Sequence, residues 1–166
     1  MNEIQYVGEH LWPGILGQAF NILSFVTCLF AAWAFYQGFR NRDNEQGQTW
    51  EKLGVGSFWI HGLSIFSLVG IMFFIMIQQY YEYQYVQAHV SEDLPMQYIF
   101  SAFWEGQEGS FLLWMFWHIV LGIVLIFKAG KWRAPVLLTL CLIQLFIGSM
   151  ILGAVSYTHL RAHGPY

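Results

Sequence analysis

Two histidines, His61 and His118, fall inside long apolar runs of this chain. Ionisable side chains within a lipid interior are costly and mark ligand or proton-handling sites by default. Neutral imidazole is the mildest case, because it can bond a backbone carbonyl or a serine on a neighbouring helix. Packing or interface anchoring is therefore the reading for His61. For His118, packing competes with ligand and proton-relay roles. His61 stands near the start of its run and His118 near the middle of its own. Different depths follow, and a macrocycle clamped between the two is not expected. Gln18, Asn21 and Gln144 are further polar groups within apolar runs. They read as hydrogen-bonding glue between helices. Were His61, His118 and Gln144 to face one another, they would form an intramembrane polar path.

Other candidates are weaker. His10 and His89 lie outside the apolar runs near Glu9 and Glu92, at no spacing that suits a metal, so no metal site is expected. They read as solvated surface groups. Cys28 and Cys141 sit within apolar runs without a C-x-x-C or C-x-x-C-H pattern. Covalent haem attachment to this chain is thus unsupported, and both read as small hydrophobes. The sharpest string is Phe103-Trp104-Glu105-Gly106-Gln107-Glu108-Gly109-Ser110-Phe111-Leu112-Leu113-Trp114. Glu105 and Glu108 suit the positive end of a helix dipole. Trp104 and Trp114 suit a membrane interface. Neither explains two glycine-bounded glutamates set so tightly between tryptophans.

The elements that must hold these groups are membrane helices. Of 166 residues 57% are hydrophobic and 10% charged, against about 25% charged in soluble domains. Apolar blocks run over residues 15–39, 55–85, 110–127 and 134–155. Each meets or nearly meets the roughly 20 residues needed to cross a hydrocarbon core, and lipid admits only helices or closed barrels. The second block exceeds a span, so its polar, aromatic end at 78–85 is expected to project through the interface. Glycines 62, 70, 122, 148 and 153 are expected to let backbones approach. Residues 96–104 form a short apolar and aromatic stretch after Leu94-Pro95. Proline disfavours helix at Leu94, and the stretch reads as an interfacial or re-entrant segment. The fold class is an all-α integral membrane bundle of four transmembrane helices.

Charge gives the orientation. Arg40, Arg42, Lys52, Lys128, Lys131 and Arg133 flank the first and third loops, and only Arg161 of the 7 Lys and Arg lies elsewhere. The positive-inside rule sets those loops in the cytoplasm, and the N-terminus, second loop and tail outside. Residues 1–16 lack Lys and Arg, unlike the basic start of a secretory signal, so the first block is read as a span. Nothing basic is clustered as a nucleic-acid site would require.

At the string Trp104, Glu108, Gly109, Ser110, Leu112, Leu113 and Trp114, with Leu94-Pro95 and Tyr98 upstream, the chain resembles the cytochrome c maturation protein F family of haem lyases. The likeness runs from about Tyr6 to Val155 and includes Gly8-Glu9-His10-Leu11. It departs where Glu105 stands in the place of the family's glycine after tryptophan, with Gly106 one position later. The resemblance implies a protein of the bacterial cytoplasmic (inner) membrane. It implies haem transfer and thioether attachment to apocytochrome c on the outer side, with a haem chaperone as partner besides membrane lipid. The family's tryptophan-rich loop and b-type haem ligands have no counterpart string here, so the chain is expected to be its N-terminal four-span portion, residues 1–155, inactive alone. Trp104, Trp114 and His118 are the candidate haem-contacting residues, and no catalytic residue is assigned. Residues 156–166 read as a tail foreign to the protein, which removes His159 and His163 as a site. The rival is a self-contained small membrane transport or respiratory-complex subunit using His61, His118 and Gln144.

Overall fold

The computed structural model describes residues 10–81, 83–91 and 95–161, with the backbone alone over 154–161. Four long helices carry the fold: α1 (Trp12–Arg40), α2 (Glu45–Ile77), α5 (Gln107–Lys128) and α6 (Arg133–Arg161). Between α2 and α5 come two short ones, α3 (Gln84–His89) and α4 (Ile99–Glu105). Each long helix is long and apolar enough to cross a membrane. The all-α, four-span class is therefore as expected, and the chain is a multi-pass membrane protein. The ends differ from the apolar blocks. The second span begins at Glu45 rather than residue 55, because the polar stretch beyond the α1–α2 turn continues the helix.

That span also stops earlier than its apolar block. Gln79 takes a left-handed conformation (φ 53°), and Tyr80 N–H bonds back to the Ile75 carbonyl. The helix ends at Ile77, and the expected projection over 78–85 is instead a turn followed by α3.

The long helices pack as a ring in the order α1, α2, α5, α6, each against its two neighbours. Tight turns make α1 and α2, and α5 and α6, antiparallel pairs. One end of the bundle holds both tight turns and Arg40, Arg42, Lys52, Lys128, Lys131 and Arg133. There Arg133 pairs with Glu51 across the ring and donates to the Ile126 carbonyl. The other end is capped by α4, which packs on α5 and α2. Phe103 of α4 is fully buried and tilts against Phe73 at 4.6 Å. Here too the start of α1 is pinned. Gly14 N–H donates to the Tyr83 hydroxyl (3.0 Å), which donates to the His10 carbonyl (2.5 Å).

Lipid-facing surfaces are apolar, as Leu63, Trp117, Phe127 and Phe146 illustrate. Interior seams are narrow: a side-chain carbon on Gly62 would meet Ile119, and one on Gly148 would meet Phe25 and Met115. Gly70 and Gly153 face open space and bring no backbones together. Leu94, Gly8-Glu9 and His163 lie outside the described residues, and the side chain of His159 likewise.

Candidate functional site

The string at residues 103–114 folds as a corner. α4 ends at Glu105, Gly106 takes an extended conformation (φ −71°, ψ 145°), and α5 starts at Gln107. Carbonyls at the end of a helix have no intrahelical partner, and side chains meet them here. The Tyr85 hydroxyl donates to the Phe103 carbonyl (2.7 Å), and the Ser110 hydroxyl to the Trp104 carbonyl (2.7 Å). Any side chain on Gly109 would run into the Phe103 carbonyl and the Tyr85 hydroxyl, and one on Gly106 into the Tyr85 ring. Gly106, Gly109 and Ser110 are thus what the corner demands. Burial holds the Tyr85 hydroxyl above the ordinary tyrosine range, with Glu108 and then Glu105 adding repulsion and a Gly109 backbone contact opposing it.

Glu105, Trp104 and Trp114 of the string point outward, whereas Phe103 is buried and Phe111 packs on the core. Glu105 is exposed and Glu108 half-buried in the first turn of α5. Trp104 is 55% exposed beside Phe100, and Trp114 is 61% exposed. Leu112 is buried and Leu113 packs against the core. Met96 and Tyr98 are exposed as well, so the end of the bundle near α4 presents an aromatic face around Trp104.

A second set of groups lies in the middle of the bundle. His61 is fully buried, and its Nδ1 meets the Ser24 carbonyl at 2.9 Å. Ser57 donates to the Thr27 carbonyl one turn away (2.8 Å). Gln144 donates from Nε2 to the Met115 carbonyl (3.0 Å). Cys28 reaches the Cys141 carbonyl (3.5 Å), and both cysteines are buried. Asn21 and Gln144 lie in the interior as expected of interhelical glue, but Gln18 is exposed on the outer face of α1 and bridges no helices.

His61 and His118 share one level, contrary to the depth expected of them: Gly62, next to His61, packs on Ile119, next to His118. They face different ways. Phe116 meets Phe66 of α2 at 4.8 Å, and His118 lies about 200° further round α5 at 3.6 residues per turn. It is half-buried on the flank away from α2. His89 is not merely a solvated group. It is half-buried, stacked on Tyr85 at 4.5 Å, with Nδ1 on the Tyr85 carbonyl. His10 stacks on Tyr80 at 4.3 Å.

The partnerships of Tyr85 with Phe103 and of His61 with Ser24 escape sequence reasoning, since their acceptors are backbone carbonyls. One signal was present. Ser57, His61 and Ser64 stand at i, i+4 and i+7, a polar stripe on one helical face.

Haem fits these residues poorly. A macrocycle needs a slot and an accessible axial ligand. The His61 ring is fully buried where α2 meets α1, and its Nδ1 is taken by the Ser24 carbonyl. A hollow of about 110 Å³ lies between α2 and α5, lined by Phe58, Trp59, Gly62, Leu63, Phe66, Ile119 and Ile123. Ligand pockets span roughly 300–1,000 Å³, and this one offers no ligating side chain. Among the described residues no three His, Cys, Asp or Glu side chains gather as a metal site. No protein-family model, curated protein or solved structure matches the chain.

Proposed function

We propose that the chain is the N-terminal, four-span part of a cytochrome c-type haem lyase. In this reading it takes part in haem transfer and covalent haem attachment to apocytochrome c on the outer side of the bacterial inner membrane. The observation that carries the reading is the corner. Gly109 and Ser110 of the family-like string are residues that its geometry requires, and Trp104 beside them is turned outward on an aromatic face. Haem is held by groups other than these residues, and the face around Trp104 shapes the surface where apocytochrome and haem chaperone meet. The segregation of basic residues to one end supports an N-terminus outside the cytoplasm.

Depleting the chain from its own cells tests this. Covalently bound haem, read as peroxidase-active bands that survive denaturing electrophoresis, should fall while b-type haem spectra persist. Undiminished covalent haem under full depletion overturns the reading. A second reading, a small transport or respiratory-complex subunit, draws on the burial of both His61 and Gln144 in the interior. It requires that His61→Leu impair ion movement or respiratory electron flow while covalent haem stays normal.

A further inference from the structure

Among the described residues five buried polar atoms meet no protein partner: the Tyr81 hydroxyl, His118 Nδ1 on the half-buried flank of α5, and, in the fully enclosed interior, Asn21 Nδ2, His61 Nε2 and Gln144 Oε1. Asn21, His61 and Gln144 are 4%, 0% and 1% exposed. Inside a membrane bundle such atoms demand an explanation, because lipid supplies no partner.

The last three lie on adjoining turns of the bundle. His61 meets the Ser24 carbonyl, and the Ser24 hydroxyl donates to the Asn21 carbonyl (3.2 Å) one turn along α1. Residues three apart on a helix are surface neighbours, so Asn21 flanks the imidazole. Gln144 lies between Cys141 and Gly148 on α6. Those two residues meet Cys28 and Phe25 of α1, and Cys28 is one turn from Ser24 on the same face. α1, α2 and α6 thus each turn one unpaired polar atom towards the same stretch of interior.

The chemistry of the three atoms is complementary to one small molecule. A carbonyl only accepts, so the Ser24 contact requires a proton on Nδ1 and leaves Nε2 of neutral His61 an acceptor. The Met115 carbonyl likewise fixes Nε2 of Gln144 as donor and Oε1 as acceptor. Asn21 Nδ2 is a donor. Two acceptors and one donor match the two hydrogens and the lone pairs of water. Buried waters characteristically make about three such bonds.

We propose that the bundle interior is a water-binding site. One ordered water donates to His61 Nε2 and to Gln144 Oε1 and accepts from Asn21 Nδ2, tying α1, α2 and α6 together at mid-membrane. This stands whichever functional reading holds.

Solid-state NMR of the full chain in lipid bilayers tests it, with ¹⁵N-labelled histidine and side-chain amides. Magnetisation transferred from water should reach the His61, Asn21 and Gln144 side chains early, while ¹³C-labelled Ile65 and Phe58, buried nearby without polar groups, stay dark. The His61 nitrogen shifts should report a protonated Nδ1 and an unprotonated Nε2. In Gln144→Leu and Asn21→Leu the water signal at His61 should fall. The site does not exist if His61 stays as dark as Ile65 in the wild-type protein, or if its Nε2 carries the proton while Nδ1 does not. The wild-type spectra decide this even if a variant fails to fold.

Discussion

At the α4–α5 corner, Tyr85 and Ser110 each donate one hydroxyl to a carbonyl at the end of α4, and the contact is complete. In the middle of the bundle, His61 and Gln144 also meet carbonyls, of Ser24 and Met115, but each keeps a second buried polar atom without a protein partner. The corner is closed by small residues pressed against backbone. The interior is held by long polar side chains between helices. Small residues leave no room for adjustment, whereas long side chains can shift, rotate or admit water. Rigidity therefore belongs to the corner, and tolerance to the interior.

The difference is sharpest at Gly109. A side-chain carbon there would fall on the Phe103 carbonyl, which cannot move without dragging α4. Gly109→Ala should cost about 3 kcal/mol, the upper part of the overpacking range, read as loss of unfolding free energy in bicelles. It should also displace Trp104 and raise its fluorescence accessibility to water-soluble quenchers. A near-neutral Gly109→Ala would mean that the corner is soft and would erase the contrast.

His61→Leu probes the tolerant side. It removes the bond to Ser24 and one water partner, leaving Asn21 and Gln144 less well satisfied. Side-chain hydrogen bonds within membranes average about 0.6 kcal/mol with a maximum near 1.7. We expect a loss of about 1.5 kcal/mol, half the corner's penalty. Adding Gln144→Leu to His61→Leu should cost less than the sum of the two single changes, since the site is already broken. Strict additivity would show the two groups to be independent.

Tyr85→Phe tests the corner's hydrogen bond apart from its packing. Loss of the hydroxyl leaves the Phe103 carbonyl short of a partner, worth about 1 kcal/mol. Its pH dependence has a definite sign. The fold holds this hydroxyl above its ordinary pKa of 10.0, so it favours the neutral form. Above that value the unfolded chain releases a proton that the folded chain keeps, and stability falls as pH rises. The contribution is fully present below pH 10. Tyr85→Phe should remove part of the alkaline loss seen in the wild-type protein, measured as unfolding midpoints across that range.

The two regions were not equally legible in the sequence. Composition and block length revealed the four spans, because apolar runs of that length have one physical solution in lipid. The corner string was visible as a string, but its partner Tyr85 was not, since a carbonyl acceptor leaves no mark on residue type. The end of α2 was misplaced because Gln79 adopts a left-handed turn that no glycine or proline announces. The shared level of His61 and His118 could not be read either. Depth depends on where helices start, and α2 begins ten residues before its apolar block does. Gln18 illustrates the remaining ambiguity. Its residue type suits an interhelical bond, yet only the helix rotation decides that it faces outward while Asn21 faces in.

The smallest effect should come at the basic end, where Arg133 of α6 pairs with Glu51 of α2 across the ring. This link resembles the interior in joining helices through long side chains, but it lies near solvent, with the Arg133 side chain 38% exposed. Screening and side-chain entropy reduce such pairs to about 0.2–1 kcal/mol, and Arg133 also holds the Ile126 carbonyl at the end of α5. We expect Glu51→Gln to cost about 0.5 kcal/mol at low salt and less at 1 M salt, where the screening length shrinks to roughly 3 Å. The salt dependence separates this pair from the two regions above, since neither Gly109→Ala nor His61→Leu alters a charge pair and neither penalty should move with ionic strength. A Glu51→Gln penalty as large as that of His61→Leu and insensitive to salt would mean that the basic end is sealed from water, and that the tolerant, long-side-chain packing of the interior continues to that end of the bundle.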